Sequence, residues 1–129
     1  MAYQSHLFKT PEDEARYNKI YDAVWPYHGL KPEEIKIQTS FGETHINAFG
    51  SKDAPSLVLL PGFGSCSTMF FPNIIELQHH FRVYAIDTIH DIGKSRFHGF
   101  VNRERSIPDW LRAVFNGLKL EKSLGGLTI

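Results

Sequence analysis

The sequence holds a single cysteine, Cys66, in 129 residues. One thiol forms no intrachain disulfide and no cysteine-based zinc site, so neither staple can replace a hydrophobic core. An excess of either charge is missing as well, since 14 Lys plus Arg balance 14 Asp plus Glu. That balance removes the global electrostatic case for nucleic acid or an anionic membrane, and no nucleic-acid partner is expected. Long apolar runs are also lacking. The strongest, Leu57–Leu60, falls far short of the ~20 residues a spanning helix needs, so no membrane span is expected. The N-terminus, MAYQSHLFKTPEDE, is polar and acidic where a signal peptide has an apolar core, and a cytoplasmic location is expected. What is present is a globular composition, 42% hydrophobic and 22% charged, enough for about one domain and without repeats.

Along the chain, Thr10 is placed to cap a first helix, with Pro11 at its first position and Asp13 three residues on. Tyr17, Ile20, Tyr21 and Val24 give it an apolar face, and Pro26 is expected to end it. Glu34–Thr39 and Thr44–Phe49 alternate as strands, and Ser40-Phe41-Gly42 between them predicts an antiparallel hairpin. Ser56-Leu57-Val58-Leu59-Leu60 and FRVYAID (81–87) are continuous apolar runs of the kind found in strands buried on both faces. Between them lie the turn Pro61-Gly62-Phe63-Gly64-Ser65 and a helix starting near Ser67, which makes a parallel βαβ unit. A long loop over 88–105 follows. Ser106 is then expected to cap a last helix with Ile107, Leu111, Val114, Phe115 and Leu118 inward. The fold class is α/β. Residues 1–29 read as an N-terminal helical segment and 30–129 as the sheet-bearing domain.

Several chemistries can be weighed on this frame. Gly62, Gly64 and Ser67 after a strand, with Asp87 ending the next, approach the G-x-G-x-x-G dinucleotide fingerprint, but Ser67 stands at the third glycine. Gly93-Lys94-Ser95 matches the end of a phosphate loop, yet Thr88 occupies the position of its first glycine and no strand feeds it. His79-His80 and His90-Asp91 are adjacent pairs, and neighbours on a helix point apart, so no metal site is expected. Residues 94–122 carry seven Lys or Arg against three Asp or Glu, without the aromatic interleaving of a nucleic-acid surface.

LLPGFGSCSTMF, FRVYAIDTIHDIGKS, the helix DWLRAVFNGL and the final SLGG, taken in this order, resemble the α/β-hydrolase family, especially its esterase- and lipase-like members. The resemblance spans about residues 30–129. It implies an incomplete α/β-hydrolase sheet, an antiparallel hairpin plus the βαβ unit, with an N-terminal helix before it. Pro61 stands where the family's H-G-x-G turn has histidine. By the resemblance, the oxyanion-hole N–H groups map to Phe63 and to Leu124, the residue after the nucleophile. Asp87, opening a loop like the family's D-x-x-G-x-G-x-S turn, takes a structural role rather than that of the triad acid. Ser123-Leu124-Gly125-Gly126 matches the right half of G-x-S-x-G, but Glu121-Lys122 and a helix end stand where an apolar strand belongs. Either Ser123 is the nucleophile with its strand absent, or Ser123 belongs to the preceding loop and the nucleophile is absent.

In the family, acid and histidine follow the serine. After Ser123 only Leu124, Gly125, Gly126, Leu127, Thr128 and Ile129 remain, and all seven histidines precede it. The chain thus reads as carboxylester-hydrolase-related and truncated, inactive alone, with a small ester as the substrate of the full-length family and no metal or organic cofactor. A non-enzymatic truncated product or interaction module is the alternative, and a dinucleotide-binding βαβ domain the second. In the family's sheet strand three lies between strands four and five. Without strand five, Ser56–Leu60 is expected to be an exposed edge that promotes self-association.

Overall fold

The computed structural model of the chain describes residues 7–89, 91–97, 103–120 and 126–128. Helix α1 spans Pro11–Tyr27. Thr10 caps it, its hydroxyl accepting from Asp13 N at 3.1 Å. Pro26 does not end it. The helix runs one residue further and closes at Gly29 (φ 73°), whose N–H donates to Pro26 O at 3.0 Å. The buried stripe also differs from the expected one. Tyr21 and Trp25 are buried, while Ile20 is 72% exposed. The stripe follows i, i+4 through Tyr17, Tyr21 and Trp25, because three large rings cover the sheet better than a face turned toward Ile20.

Strands β1 (Glu33–Thr39) and β2 (Gly42–Phe49) form the antiparallel hairpin. Gly42 adopts φ 134°, and a Cβ there would lie 2.0 Å from Arg96 O. Strand β3 (Ser56–Leu60) pairs in parallel with β4 (Arg82–Ile86). The crossover between them is a 3-10 turn, Ser67–Phe70, followed by α2 (Phe71–Leu77). One continuous helix from Ser67 is interrupted because Pro72, lacking an N–H, sits in the first turn of α2. The loop after β4 contains β5 (Arg96–Phe97), which pairs with β2. Helix α3 spans Arg103–Gly117, starting three residues before Ser106, so Ser106 is not its cap and Pro108 is inside it. The anchor at its centre is Trp110, fully buried, whose Nε1–H donates to Thr44 Oγ1 at 2.7 Å.

The sheet order is β1-β2-β4-β3-β6, where β6 is Gly126–Thr128. It is an open α/β-hydrolase-type sheet, a hairpin joined to a βαβ unit, with α1 before it. β6 lies parallel to β3, with Val58 opposite Gly126 and Leu60 opposite Thr128. This corrects the expected edge: β3 is covered over Val58–Leu60, and the outermost strand on that side is β6. Backbone groups that a missing neighbour would orphan are thus satisfied by a later segment of the same chain.

Strand alternation sorts the core onto two faces. Phe49, Leu59, Val83 and Ala85 pack with Trp25, Phe70 and Ile74. Ile46, Val58 and Ile86 pack with Trp110 and Val114 of α3. Each such side chain contributes roughly 1.5–3 kcal/mol by leaving water. Positions 45 and 47 on β2 share a face with Phe49, as position 87 shares one with Ala85, and that face lies under α1. There the chain places His45, Asn47 and Asp87, and the site is built from that choice.

Candidate active site

Because β3 and β4 are parallel, the turn after β3 and the loop after β4 leave the same edge of the sheet. Asp87 begins the loop. Its side chain is fully buried and accepts four hydrogen bonds. Ser67 N–H donates to Oδ1 at 2.8 Å, while Tyr21 Oη–H at 2.6 Å and Lys94 N–H at 2.9 Å donate to Oδ2. His45 Nδ1 lies 3.3 Å from Oδ2. Burial alone would raise the carboxyl pKa. The bonds from His45, Lys94 N–H, Tyr21 and Ser67 N–H outweigh it and hold Asp87 below the ordinary carboxylate value. Tyr21 responds in the opposite sense. Burial first, and the Asp87 charge beside it, push its phenol well above the ordinary value.

Around this carboxylate the remaining groups close on one another. Asn47 Nδ2 donates to Tyr21 Oη at 2.7 Å and to Ser67 Oγ at 3.0 Å. Ser67 Oγ lies 2.9 Å from Tyr21 Oη, whose own proton is on Asp87, so Ser67 is the donor. Ser95 Oγ donates to Asp87 O at 2.6 Å and accepts from His45 N–H at 2.8 Å. Lys94 ion-pairs with Asp22 and Glu34 and lies 4.8 Å from the Tyr21 ring centroid. The loop is thereby fastened to α1, β1 and β2 together.

Serine, histidine and aspartate meet here, yet not as a nucleophilic triad. His45 is 2% exposed, and both ring nitrogens face carboxylates: Nδ1 toward Asp87, Nε2 toward Glu34 Oε1 at 3.0 Å. Neither nitrogen is left to take a serine proton, and the hydroxyls of Ser67 and Ser95 are fully buried. The same facts overturn the dinucleotide alternative. A ribose cannot reach Asp87, whose oxygens are sequestered by Tyr21, Lys94, Ser67 and His45.

The turn after β3 is held differently. Gly64 adopts φ 76°, and its N–H donates to Asp91 Oδ2 at 3.1 Å. Asp91 Oδ1 accepts from Ile92 N–H at 2.8 Å. One side chain of the β4 loop thus fixes the Gly-rich turn. Phe63, at its tip, is 78% exposed. The Tyr17 hydroxyl donates to Ile92 O at 2.9 Å, which ties α1 to the same corner. Cys66 is half-buried, its Sγ 3.0 Å from Thr68 Oγ1.

Of the residues singled out from the sequence, Phe63 and Asp87 are brought to one edge of the sheet. Ser123, Leu124 and His90 lie outside the described residues. Sequence reasoning missed His45, Tyr21, Asn47 and Asp91. The signal available for two of them was period-2 alternation on β2, which puts His45 and Asn47 on one face with Phe49. Tyr21 and Asp91 gave no local signal.

No family model matches the chain. Carboxylesterase YbfK of Bacillus subtilis is 38% identical over 133 residues, a match covering 100% of this chain and 44% of that protein. An uncharacterized carboxylesterase, nap, of the same organism is 36% identical over 134 residues, with 97% and 44% covered. Among solved structures, naproxen esterase (carboxylesterase NP) of Bacillus subtilis superposes with a TM-score of 0.86 at 34% identity, covering 95% of this chain and 42% of that one. The chain therefore spans about 44% of the length of the curated relatives it matches. By these likenesses and by its sheet, the chain belongs to the α/β-hydrolase family, among its carboxylesterase-related members.

Proposed function

We propose that the chain carries the oxyanion side of a serine carboxylester hydrolase that works through an acyl-enzyme. The observation that carries this reading is the Gly-rich turn after β3, pinned at Gly64 by Asp91 of the neighbouring loop. An oxyanion donor acts only if its position is set before the reaction, and a turn braced from a second strand is set in that way. The Phe63 N–H is the first donor in this reading and Leu124 N–H the second, with Ser123 as nucleophile if the first of the two alignments holds. The substrate is a small ester, and the location is the cytoplasm. Nucleic acid has no place in the reading.

These 129 residues alone are proposed not to turn over. A base worth roughly 10²–10⁴-fold is not supplied by His45, because its ring is enclosed between Asp87 and Glu34. Association with a second copy is proposed at the outer side of β6, whose backbone groups have no neighbour among the described residues. A fluorophosphonate probe tests the reading. The purified chain is expected to show no labelling above a Ser123→Ala control. Labelling lost with Ser123→Ala would show an activated serine and a base within these residues.

A further inference from the structure

Away from the turn, a cavity of about 310 Å³ opens between the second half of α1 and the start of β1. Its walls include Trp25, Pro26, Leu30, Pro32 and Asn47. Trp25 and Asn47 are 2% and 1% exposed. Each holds a buried polar atom without a hydrogen-bond partner among the described residues, the indole Nε1–H of Trp25 and Oδ1 of Asn47. Buried polar atoms in native structures are nearly always paired, so each orphan calls for a reason. Here a lone donor and a lone acceptor belong to two walls of one cavity. Neither is free to turn away. Asn47 Nδ2 is committed to Tyr21 and Ser67. The Trp25 ring packs against Phe49, centroids 5.1 Å apart, and edge-on to Tyr21 at 6.4 Å.

We propose that this cavity binds a neutral carboxamide carried on a small apolar body. A carboxamide offers a C=O to the indole N–H and an N–H to Asn47 Oδ1 from one planar group. A carboxylate brings acceptors only and an ammonium donors only, so either leaves one orphan unpaired and buries a charge as well. The rim does not rescue such a charge. Asp22 and Glu34 are already paired with Lys94. Pro26, Leu30 and Pro32 supply apolar wall for the body, and the volume is at the small end for ligand pockets. The site stands apart from the oxyanion turn and does not depend on the hydrolase reading.

Benzamide is a suitable probe. The sequence has two tryptophans, so a ¹⁵N-labelled full-length chain shows two indole N–H signals, assigned with Trp25→Phe. Benzamide is expected to move the Trp25 signal and slow its hydrogen exchange. The Trp110 signal, already bonded to Thr44, is expected to stay in place. Benzoate is expected to bind about tenfold more weakly, the loss of roughly one hydrogen bond. Trp25→Phe, followed by saturation transfer to benzamide, is expected to show a similar loss. The proposal is overturned if benzamide moves neither signal or both alike, or if benzoate binds as well. A Trp25 indole N–H that contacts only bound water with benzamide present also overturns it. The wild-type titration decides even where the variant does not fold.

Discussion

The loop after β4 and the turn after β3 leave the same sheet edge, yet they are held in opposite ways. The first is knotted inward. Asp87 has four donors, its nearest histidine is walled in by a second carboxylate, and the serine hydroxyls beside it are fully buried. The second is fixed at one point by Asp91 and leaves Phe63 at the surface. The contrast teaches how to read chemistry-bearing residues that cluster. Where every lone pair and proton is already used, the cluster is architecture. Catalytic capacity lies where a braced backbone remains reachable.

The strongest way to break the comparison is to empty its first half. Asp87→Ala leaves Ser67 N–H, Lys94 N–H, Tyr21 and His45 without their common acceptor. We expect a loss of about 3–5 kcal/mol in urea unfolding, the range for removing one partner of a buried charged network. A loss below about 1 kcal/mol would mean that water or neighbours replace the carboxylate.

A smaller effect is expected from pH. Asp87 is held below its ordinary 3.8, so its contribution is complete above about pH 4 and disappears as the pH falls further. Tyr21 is raised above its ordinary 10.0, so its contribution is complete below about pH 10 and falls as the pH rises. Stability is expected to be flat between these limits. Tyr21→Phe should abolish the alkaline limb, and a limb that survives would assign it to another group.

The smallest effect sharpens the second half. Asp91→Ala should cost about 1 kcal/mol or less in global stability. It should nevertheless speed hydrogen exchange at Gly64 and Ile92 while leaving Lys94 and Ser67 protected. Equal acceleration at all four amides would mean that the turn and the loop are one unit rather than two.

The hairpin, the βαβ unit and the family were legible because their signals are local: alternation on β1 and β2, unbroken apolar runs on β3 and β4, and Gly62-Phe63-Gly64 between strand and helix. The misses have tertiary causes. Ile20 and Trp25 compete for the same helical face, and only contact with the sheet chooses Trp25. β5 is two residues long, too short for any pattern, and exists because Gly42 admits Arg96 beside it. The start of α3 at Arg103 is set by packing around Trp110 and overrides the capping preference of Ser106. β6 lacked a strand signature, and its pairing with β3 is long-range. The buried network was illegible for the same reason, since Tyr21 and Asp87 lie 66 residues apart in sequence.

Ester turnover tests the central claim most directly. The purified chain and its Ser123→Ala variant, each given p-nitrophenyl butyrate at pH 7, are expected to release p-nitrophenol at the same rate as buffer. Turnover above buffer that persists in Ser123→Ala but vanishes in His45→Gln would contradict the account. It would show that the enclosed Ser–His–Asp cluster is a working catalytic centre and not the scaffold beside one.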